Sequence, residues 1–186
     1  MEDLKRVVFL DRDGVINRDS PDYIKDWSEF KFLPGSIEAI KDLTLNGFAI
    51  IIITNQSAIN RKLISEDTLK KIHDRMNSII NAHGGKINKI FSCPHIPEDR
   101  CNCRKPKPGL IYEAQKRFLI DLSASSFIGD SSRDIECAKK AGCRHAVLVK
   151  TGNGTKAEKE LSEKKIVPDW VAENLYEAAS WIIANH

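Results

Sequence analysis

The chain has 186 residues, 41% hydrophobic and 30% charged, with 29 basic against 26 acidic side chains and a formal net charge of +3. At about 150 residues per domain this length predicts one domain over residues 1–186, large enough to bury a core without disulfide staples. The composition excludes wholesale disorder, and the near balance of charge excludes a dedicated nucleic-acid or membrane-surface binder, which needs a strongly basic face.

Met1-Glu2-Asp3-Leu4-Lys5-Arg6 runs straight into the apolar Val7–Leu10, with no apolar stretch of signal-peptide shape ending in a small-residue cleavage site. The longest apolar run, residues 48–53, falls far short of the roughly 18 residues of a membrane span. A soluble, cytosolic protein without a membrane partner is expected.

Val7–Leu10 reads as a strand buried on both faces. An Asp-rich loop and a segment with Tyr23, Trp27, Phe30 and Phe32 follow. Pro34-Gly35-Ser36 opens a helix with Ile37, Ile40, Leu43 and Leu45 on one face, and Gly47 stops it. Residues 49–53 form the second strand, broken by Thr54-Asn55-Gln56-Ser57. Ser65 is the cap of a helix that carries Leu69, Ile72, Met76 and Ile79-Ile80 and ends at Gly84-Gly85.

Residues 87–92 are the third strand, followed by a Cys/His/Pro loop to Pro108 and a helix over 109–119. Residues 127–128 and 146–149 are strands four and five, with a helix over 134–141 between them. A polar loop and charged helix occupy 151–165, Trp170-Val171 is a sixth strand, and a helix over 175–183 closes the chain.

This alternation predicts an α/β fold: a three-layer, Rossmann-like parallel sheet with helices on both faces. The interval between Asp13 and Thr54 leaves room for a short flap but no large cap domain. In such folds ligands bind beyond the carboxyl ends of the strands. Three polar clusters sit there: Asp11-Arg12-Asp13, Thr54-Asn55-Gln56 and Gly129-Asp130-Ser131.

Asp11 and Asp13, two residues apart, repel each other unless a cation or proton separates them. Asp130 and Asp134 add charge at a neighbouring strand end, and hard oxygen ligands suit Mg2+. Arg100, Arg104, Lys105 and Lys107 crowd one loop and suit an anion clamp, Arg in two-pronged form. An acidic Mg2+ site beside a basic clamp points to phosphoryl transfer. No Gly-x4-Gly-Lys-Ser/Thr loop is present, which excludes a P-loop kinase or GTPase.

These residues also carry a resemblance. Asp11-Arg12-Asp13-Gly14-Val15-Ile16, Thr54, Lys105 and Gly129-Asp130-Ser131-Ser132-Arg133-Asp134 resemble, in order, the four motifs of the haloacid-dehalogenase-like (HAD-like) phosphatases. Thr54-Asn55-Gln56-Ser57, Cys93-Pro94-His95 and Cys101-Asn102-Cys103-Arg104-Lys105-Pro106 resemble one subgroup. It holds the D-glycero-D-manno-heptose 1,7-bisphosphate 7-phosphatases, which serve nucleotide-heptose synthesis, and the histidinol-phosphate phosphatases.

The resemblance implies the following roles. Asp11 is the nucleophile that forms an aspartyl-phosphate, and Asp13 the general acid and base. Mg2+ is held by Asp11, the Asp13 carbonyl and Asp130, with Asp134 in support. Thr54 and Lys105 bind the transferring oxygens. Arg12, Asp19, Tyr23, Asn55, Gln56, Ser57 and Arg104 contact a small phosphorylated metabolite.

By residue type alone, several of these have plainer readings. Tyr23 is equally an aromatic under a loop, Asn55 and Gln56 a turn, Ser57 a helix cap, Asp19 a solvated acid, and Asp134 a helix N-terminal acid. The chain is expected to act as a monomer.

Cys93, His95, Cys101 and Cys103 put three thiols and an imidazole within eleven residues, a closed structural zinc set. The zinc's task is to hold Arg104 and Lys105 at the mouth of the site. Cys137 and Cys143 read as small buried hydrophobes, and His73, His83, His145 and His186 as ordinary helix or loop residues.

The resemblance implies removal of the 7-phosphate of D-glycero-D-manno-heptose 1,7-bisphosphate, with histidinol phosphate as the alternative substrate. Ile59, Arg61 and Thr151-Gly152 are similar to the heptose branch. The five-residue spacer between His95 and Cys101 is similar to the histidinol-phosphate branch, and Ala58 and Ser131 depart from the heptose pattern. A sugar 1-phosphate needs a second anion site, such as Arg61 or Arg104; the histidinol amine needs an acid, such as Asp19 or Asp22. Two readings outside the subgroup compete: a nucleic-acid 3′-phosphatase, disfavoured by the small net charge, and a non-catalytic zinc module, which leaves the intact motifs unexplained.

Overall fold

All four residues of Val7–Leu10 are completely buried, because this strand lies inside the sheet with helices on either side. The protein is described by a computed structural model over residues 3–186; Met1 and Glu2, part of the polar start, lie outside the described residues. The strands are β1 (Asp3–Leu4), β2 (Val7–Leu10), β3 (Ala49–Asn55), β4 (Lys89–Cys93), β5 (Leu119–Ile120), β6 (Ser126–Gly129), β7 (His145–Val149) and β8 (Trp170–Ala172). The helices are α1 (Ser36–Leu45), α2 (Glu66–Ala82), α3 (Gly109–Arg117), α4 (Ser132–Ala141), α5 (Gly154–Glu163) and α6 (Leu175–Ala184).

Six strands form one parallel sheet in the order β4-β3-β2-β6-β7-β8. From β2 the chain steps outward through β3 to β4, then crosses back to β6 on the other side of β2. The order therefore reverses between β2 and β6. The carboxyl ends of those two strands spread apart around a crevice, and they lead into Asp11 and Asp130.

Side chains alternate across the sheet with a period of two. Val8, Leu10, Ile50, Ile52, Ile128 and Val147 pack with α1, α2 and α6. Val7, Phe9, Ile51, Ile53, Phe127 and Leu148 pack with α3, α4 and α5. Each fully buried side chain of this kind stabilises by about 1.5–3 kcal/mol, so both layers hold the crevice-forming strands firmly. Cys137 and Cys143 belong to the second layer as expected, and burial pushes both thiols up to about 12.

The structure adjusts three expectations. Leu45 is 69% exposed, and the buried face of α1 is Ser36, Ala39, Ile40 and Leu43. Leu45 is the last residue of α1 and points away from the buried face. Strand β3 runs on through Thr54 and Asn55, whose register with Ser92 and Cys93 continues the ladder with β4. A two-stranded parallel pair, β1 with β5, sits apart from the main sheet; strands of two residues carry no readable period. No described helix is long and apolar enough to cross a membrane.

Residues 11–33 make the short flap. Trp27 stacks on Phe30 at 4.8 Å between ring centroids, and Phe30 meets Phe32 edge-on at 5.1 Å. This aromatic group packs on the first helix layer and anchors the base of the flap.

Candidate active site

A cleft of about 240 Å³ opens at the β2/β6 crevice, lined by residues from every predicted strand end: Asp11 and Asp13, Thr54 to Ser57, Arg104 and Lys105, and Asp130. Asp19 and Tyr23 reach it from the flap. Of the residues offered as substrate contacts, Arg12 is absent from the lining, as are Arg61 and Asp22.

Asp11 follows β2 directly, and its backbone N–H continues the ladder by donating to Ile128 O at 3.0 Å. Its Oδ1 accepts from the Lys105 ammonium at 3.0 Å and from the Arg12 N–H at 2.7 Å. Gly14 then turns the chain at φ 81°, where a side chain would be strained. A Cβ there would also collide with the Asp130 carboxylate.

Lys105 is 2% exposed, and three oxygens hold its ammonium: Asp11 Oδ1, Asp134 Oδ1 at 2.6 Å and the Ile53 carbonyl at 2.8 Å. Burial opposes its charge, but the two carboxylates outweigh that and hold its pKa above the ordinary value. Asn55 clamps the Lys105 backbone: its Oδ1 accepts from Lys105 N at 3.1 Å and its Nδ2 donates to Lys105 O at 3.3 Å. Asn55 therefore positions the lysine as well as lining the cleft. Asp134 also accepts from Ser131 N and Oγ, at 3.0 and 2.6 Å, capping α4.

Carboxylate oxygens of Asp11, Asp130 and Asp134 gather within 4.8 Å of one another. Burial, with the repulsion of neighbouring carboxylates, pushes Asp11 up to about 7 and Asp130 up to about 8, against the partial relief that Lys105 provides. One lysine does not neutralise three acids in a buried site. This donor set fits a hard divalent cation such as Mg2+, which removes the repulsion when bound.

Asp13 differs. Burial alone would raise its pKa, but the Arg12 guanidinium and hydrogen bonds from Asn17 and Gln56 outweigh that and lower it. Arg12 grips both Asp13 oxygens through Nη2 at 2.9 Å. The expectation that Arg12 contacts substrate is thus corrected: it is 1% exposed and faces inward, because Asp13, Gln56 and His73 take its donors. Gln56 Nε2 donates to Asp13 Oδ2 at 2.8 Å and to Thr54 Oγ1 at 2.9 Å. With its oxygen accepting there, the Thr54 hydroxyl keeps its own proton for a ligand.

The zinc loop follows β4. Sγ–Sγ separations among Cys93, Cys101 and Cys103 are 3.2–3.7 Å, and His95 Nδ1 lies 3.2 Å from Cys103 Sγ and 3.5 Å from Cys93 Sγ. A tetrahedron built on Zn–S bonds of about 2.3 Å has S–S edges of about 3.8 Å, so the four ligands fit zinc. Arg104 Nη1 donates to the His95 carbonyl at 3.0 Å, which ties the arginine to the backbone of the Cys/His cluster. Lys107 serves the loop itself, donating to the carbonyls of Arg100 and Cys101 at 3.0 and 2.8 Å.

Two lining residues to which the sequence assigns no role carry polar chemistry, Arg133 and Asn153. Arg133, inside the fourth motif, faces the cleft near Arg104; burial and the Arg133 charge both lower the Arg104 pKa. Asn153 was read only as loop. Its N–H donates to Asp130 Oδ2 at 2.8 Å, and its Nδ2 reaches Asp19 Oδ2 at 2.8 Å, joining the metal site to the flap. Thr151 Oγ1 docks the same loop on the Gly14 carbonyl at 2.6 Å. No local signal marks this; the loop arrives from the far end of the chain.

Tyr23 stands in the left-handed region at φ 63° and packs beside Ala58, Ile64 and Leu69. Ser57, 5% exposed, lies at the cleft floor. Arg61 and Asp22 are exposed and outside the lining.

Comparison with known proteins agrees with this geometry. The HAD-hydrolase-like family description matches residues 102–178. The D-glycero-β-D-manno-heptose-1,7-bisphosphate 7-phosphatase of Bordetella bronchiseptica is 44% identical over 151 residues, covering 81% of this chain and 84% of that protein. The protein of the same name from Pseudomonas aeruginosa is 42% identical over 169 residues, covering 90% of this chain and 94% of its own. The crystal structure of D,D-heptose 1,7-bisphosphate phosphatase from B. bronchiseptica with magnesium and phosphate superposes with a TM-score of 0.90 at 39% identity, covering 97% of this chain and 99% of that one. The chain is a phosphatase and belongs to the HAD-like phosphatase family.

Proposed function

We propose that this phosphatase removes the 7-phosphate of D-glycero-β-D-manno-heptose 1,7-bisphosphate. The observation that carries this substrate is the pair of guanidiniums, Arg104 and Arg133, in the same cleft as Asp11. They suit a second anionic group on the substrate, while Asp11 takes the phosphate that leaves. The names of the relatives support the same choice. Histidinol would need a free acid for its amine. The cleft acid outside the catalytic cluster is Asp19, and Asn153 already holds its Oδ2.

Asp11 and Asp130, with the Asp13 carbonyl, would hold Mg2+, which supplies charge neutralisation and lets the phosphate approach. An Asp11 carboxylate oxygen attacks phosphorus, and the phosphorus–oxygen bond to the sugar breaks. Asp13, which takes up a proton as the phosphate dianion binds beside it, gives that proton to the departing sugar oxygen. Water then attacks the aspartyl-phosphate, Asp13 takes its proton, and phosphate leaves with Asp11 restored. Lys105 and the Thr54 hydroxyl bind the phosphoryl oxygens throughout.

The cleft lining gathers every residue of this mechanism within one chain, so a monomer, the state we propose, holds a complete site. Five free cysteines, three of them suited to zinc, support a reducing cytoplasmic setting.

Phosphate release with Mg2+ from heptose 1,7-bisphosphate and from histidinol phosphate, side by side, tests the assignment, with Asp11→Asn as the blank. A large preference for the heptose in kcat/KM is expected. A preference for histidinol phosphate overturns the substrate, and Asp11-independent release overturns the mechanism.

A further inference from the structure

His73, on α2, belongs to none of the motifs, yet its Nε2 lies 3.0 Å from Arg12 Nη1. Arginine has no acceptor, so His73 accepts here, which makes the ring neutral with its proton on Nδ1. Burial, then the charge of Arg12, depresses its pKa to about 3, in agreement. The other edge of the guanidinium is committed: Nε and Nη2 go to Asp13 at 3.2 and 2.9 Å, and Nη2 also goes to Gln56 Oε1 at 3.2 Å. His73 is the hydrogen-bond partner of Nη1 among the described residues.

We propose that His73 is a positioning residue for the general acid: its acceptor nitrogen pins Arg12, whose opposite edge aims the Asp13 carboxylate into the cleft. The proposal rests on the reading of Asp13 as acid and base. Helix α2 gives the anchor its rigidity. Ser65 caps it by accepting from Thr68 N, Ile72, Met76 and Ile80 bury its face in the layer against the sheet, and Leu69 packs with Ala58 and Ile64. His73 sits one turn beyond Leu69, at the rim of that face. Without the acceptor, a buried guanidinium keeps an unmet donor and reorients toward another partner, and Asp13 moves with it. A misplacement of about 1 Å in such a group is enough to cost on the order of a hundredfold in rate.

Leaving groups discriminate this role from a merely structural one. A sugar alkoxide needs a proton as it departs; the nitrophenolate of p-nitrophenyl phosphate does not. In a covalent mechanism kcat/KM reports steps through formation of the aspartyl-phosphate, where Asp13 acts as acid. His73→Leu is expected to lower kcat/KM for the sugar phosphate by about ten- to a hundredfold and for the aryl phosphate by less than about threefold. His73→Gln, whose Oε1 can accept from Arg12, is expected to restore the sugar phosphate to within about threefold. If His73→Leu does not fold, as judged by a thermal melt, His73→Met replaces it.

Equal losses on both substrates, or no loss on either, overturn the proposal, as does a glutamine variant no better than leucine. Asp13→Asn serves as the control. If it lacks the leaving-group dependence, the reading of Asp13 as acid fails. If it shows the dependence and His73→Leu does not, only the positioning role fails.

Discussion

The Lys105 ammonium lies 3.0 Å from the Asp11 carboxylate, joining the end of the innermost strand to the segment that leaves the zinc loop. This contact places a fixed positive charge beside the carboxylate that the proposed mechanism makes the nucleophile, where it costs no reorganisation during reaction. It also makes the lysine structural, since the same ammonium meets Asp134 and the Ile53 carbonyl.

Lys105→Met is therefore expected to fail twice. Phosphate release should fall by at least about a hundredfold. Metal-free stability should drop by about 3–5 kcal/mol, because the change leaves buried carboxylates unpaired. Steady-state assays and denaturant unfolding in EDTA read the two effects separately, and unchanged unfolding would contradict the buried triad.

The raised carboxylates make stability depend on pH. Asp11 and Asp130 titrate near 7 and 8 in the fold, above their ordinary 3.8, so the fold binds more protons than the unfolded chain between those values. Metal-free protein should lose stability as pH rises from about 6.5 to about 8.5. His73, at about 3 in the fold against an ordinary 6.5, binds its proton only in the unfolded chain, so it opposes this trend from about pH 3 up to about 7 and only weakly in the window measured. Mg2+ binds the ionised carboxylates, so its stabilising effect should grow over the same range. Melts with EDTA and with Mg2+ at the two pH values check this. Asp130→Asn should flatten the EDTA slope.

Gly14→Ala should weaken the metal site without touching a ligand. The φ of 81° and the crowding on Asp130 both oppose a methyl group there. The Mg2+ concentration for half-maximal activity is expected to rise at least about tenfold. An unchanged Mg2+ titration in a folded variant would show that the turn tolerates the methyl.

Zinc removal should act on substrate binding through Arg104. Its guanidinium hangs on the His95 carbonyl, so loosening the loop frees it. Cys101→Ser is expected to reduce zinc content below about one per chain, lower the melting temperature and raise KM for the bisphosphate more than it lowers kcat. Metal analysis with kinetics in excess Mg2+ measures all three. Full activity in zinc-free protein would remove the loop from substrate binding.

The six sheet strands and the acidic strand ends were legible because a buried parallel strand writes itself as a short apolar run ending in polar residues. The zinc set was legible because its ligands are local, between Cys93 and Cys103. Arg12 was not. By type and position it looks like a substrate contact, but Asp13, Gln56 and His73 converge on it from three elements and turn it inward. Asn55 and Gln56 carry turn-forming residue types; the structure keeps Asn55 in β3 and gives both side chains to Lys105, Asp13 and Thr54.

By itself, then, the sequence determined the α/β class, the standing of Asp11, Asp13 and Asp130 just beyond apolar strand runs, and the closeness of Cys93, His95, Cys101 and Cys103. These depend on hydrophobic period and short spacing, which are properties of neighbouring residues. Only the tertiary structure decided what Arg12, His73, Arg133 and Asn153 do. Each takes its role from a partner or a shared cleft distant along the chain, and a side chain's hydrogen-bond partner is set by packing, which no local pattern records.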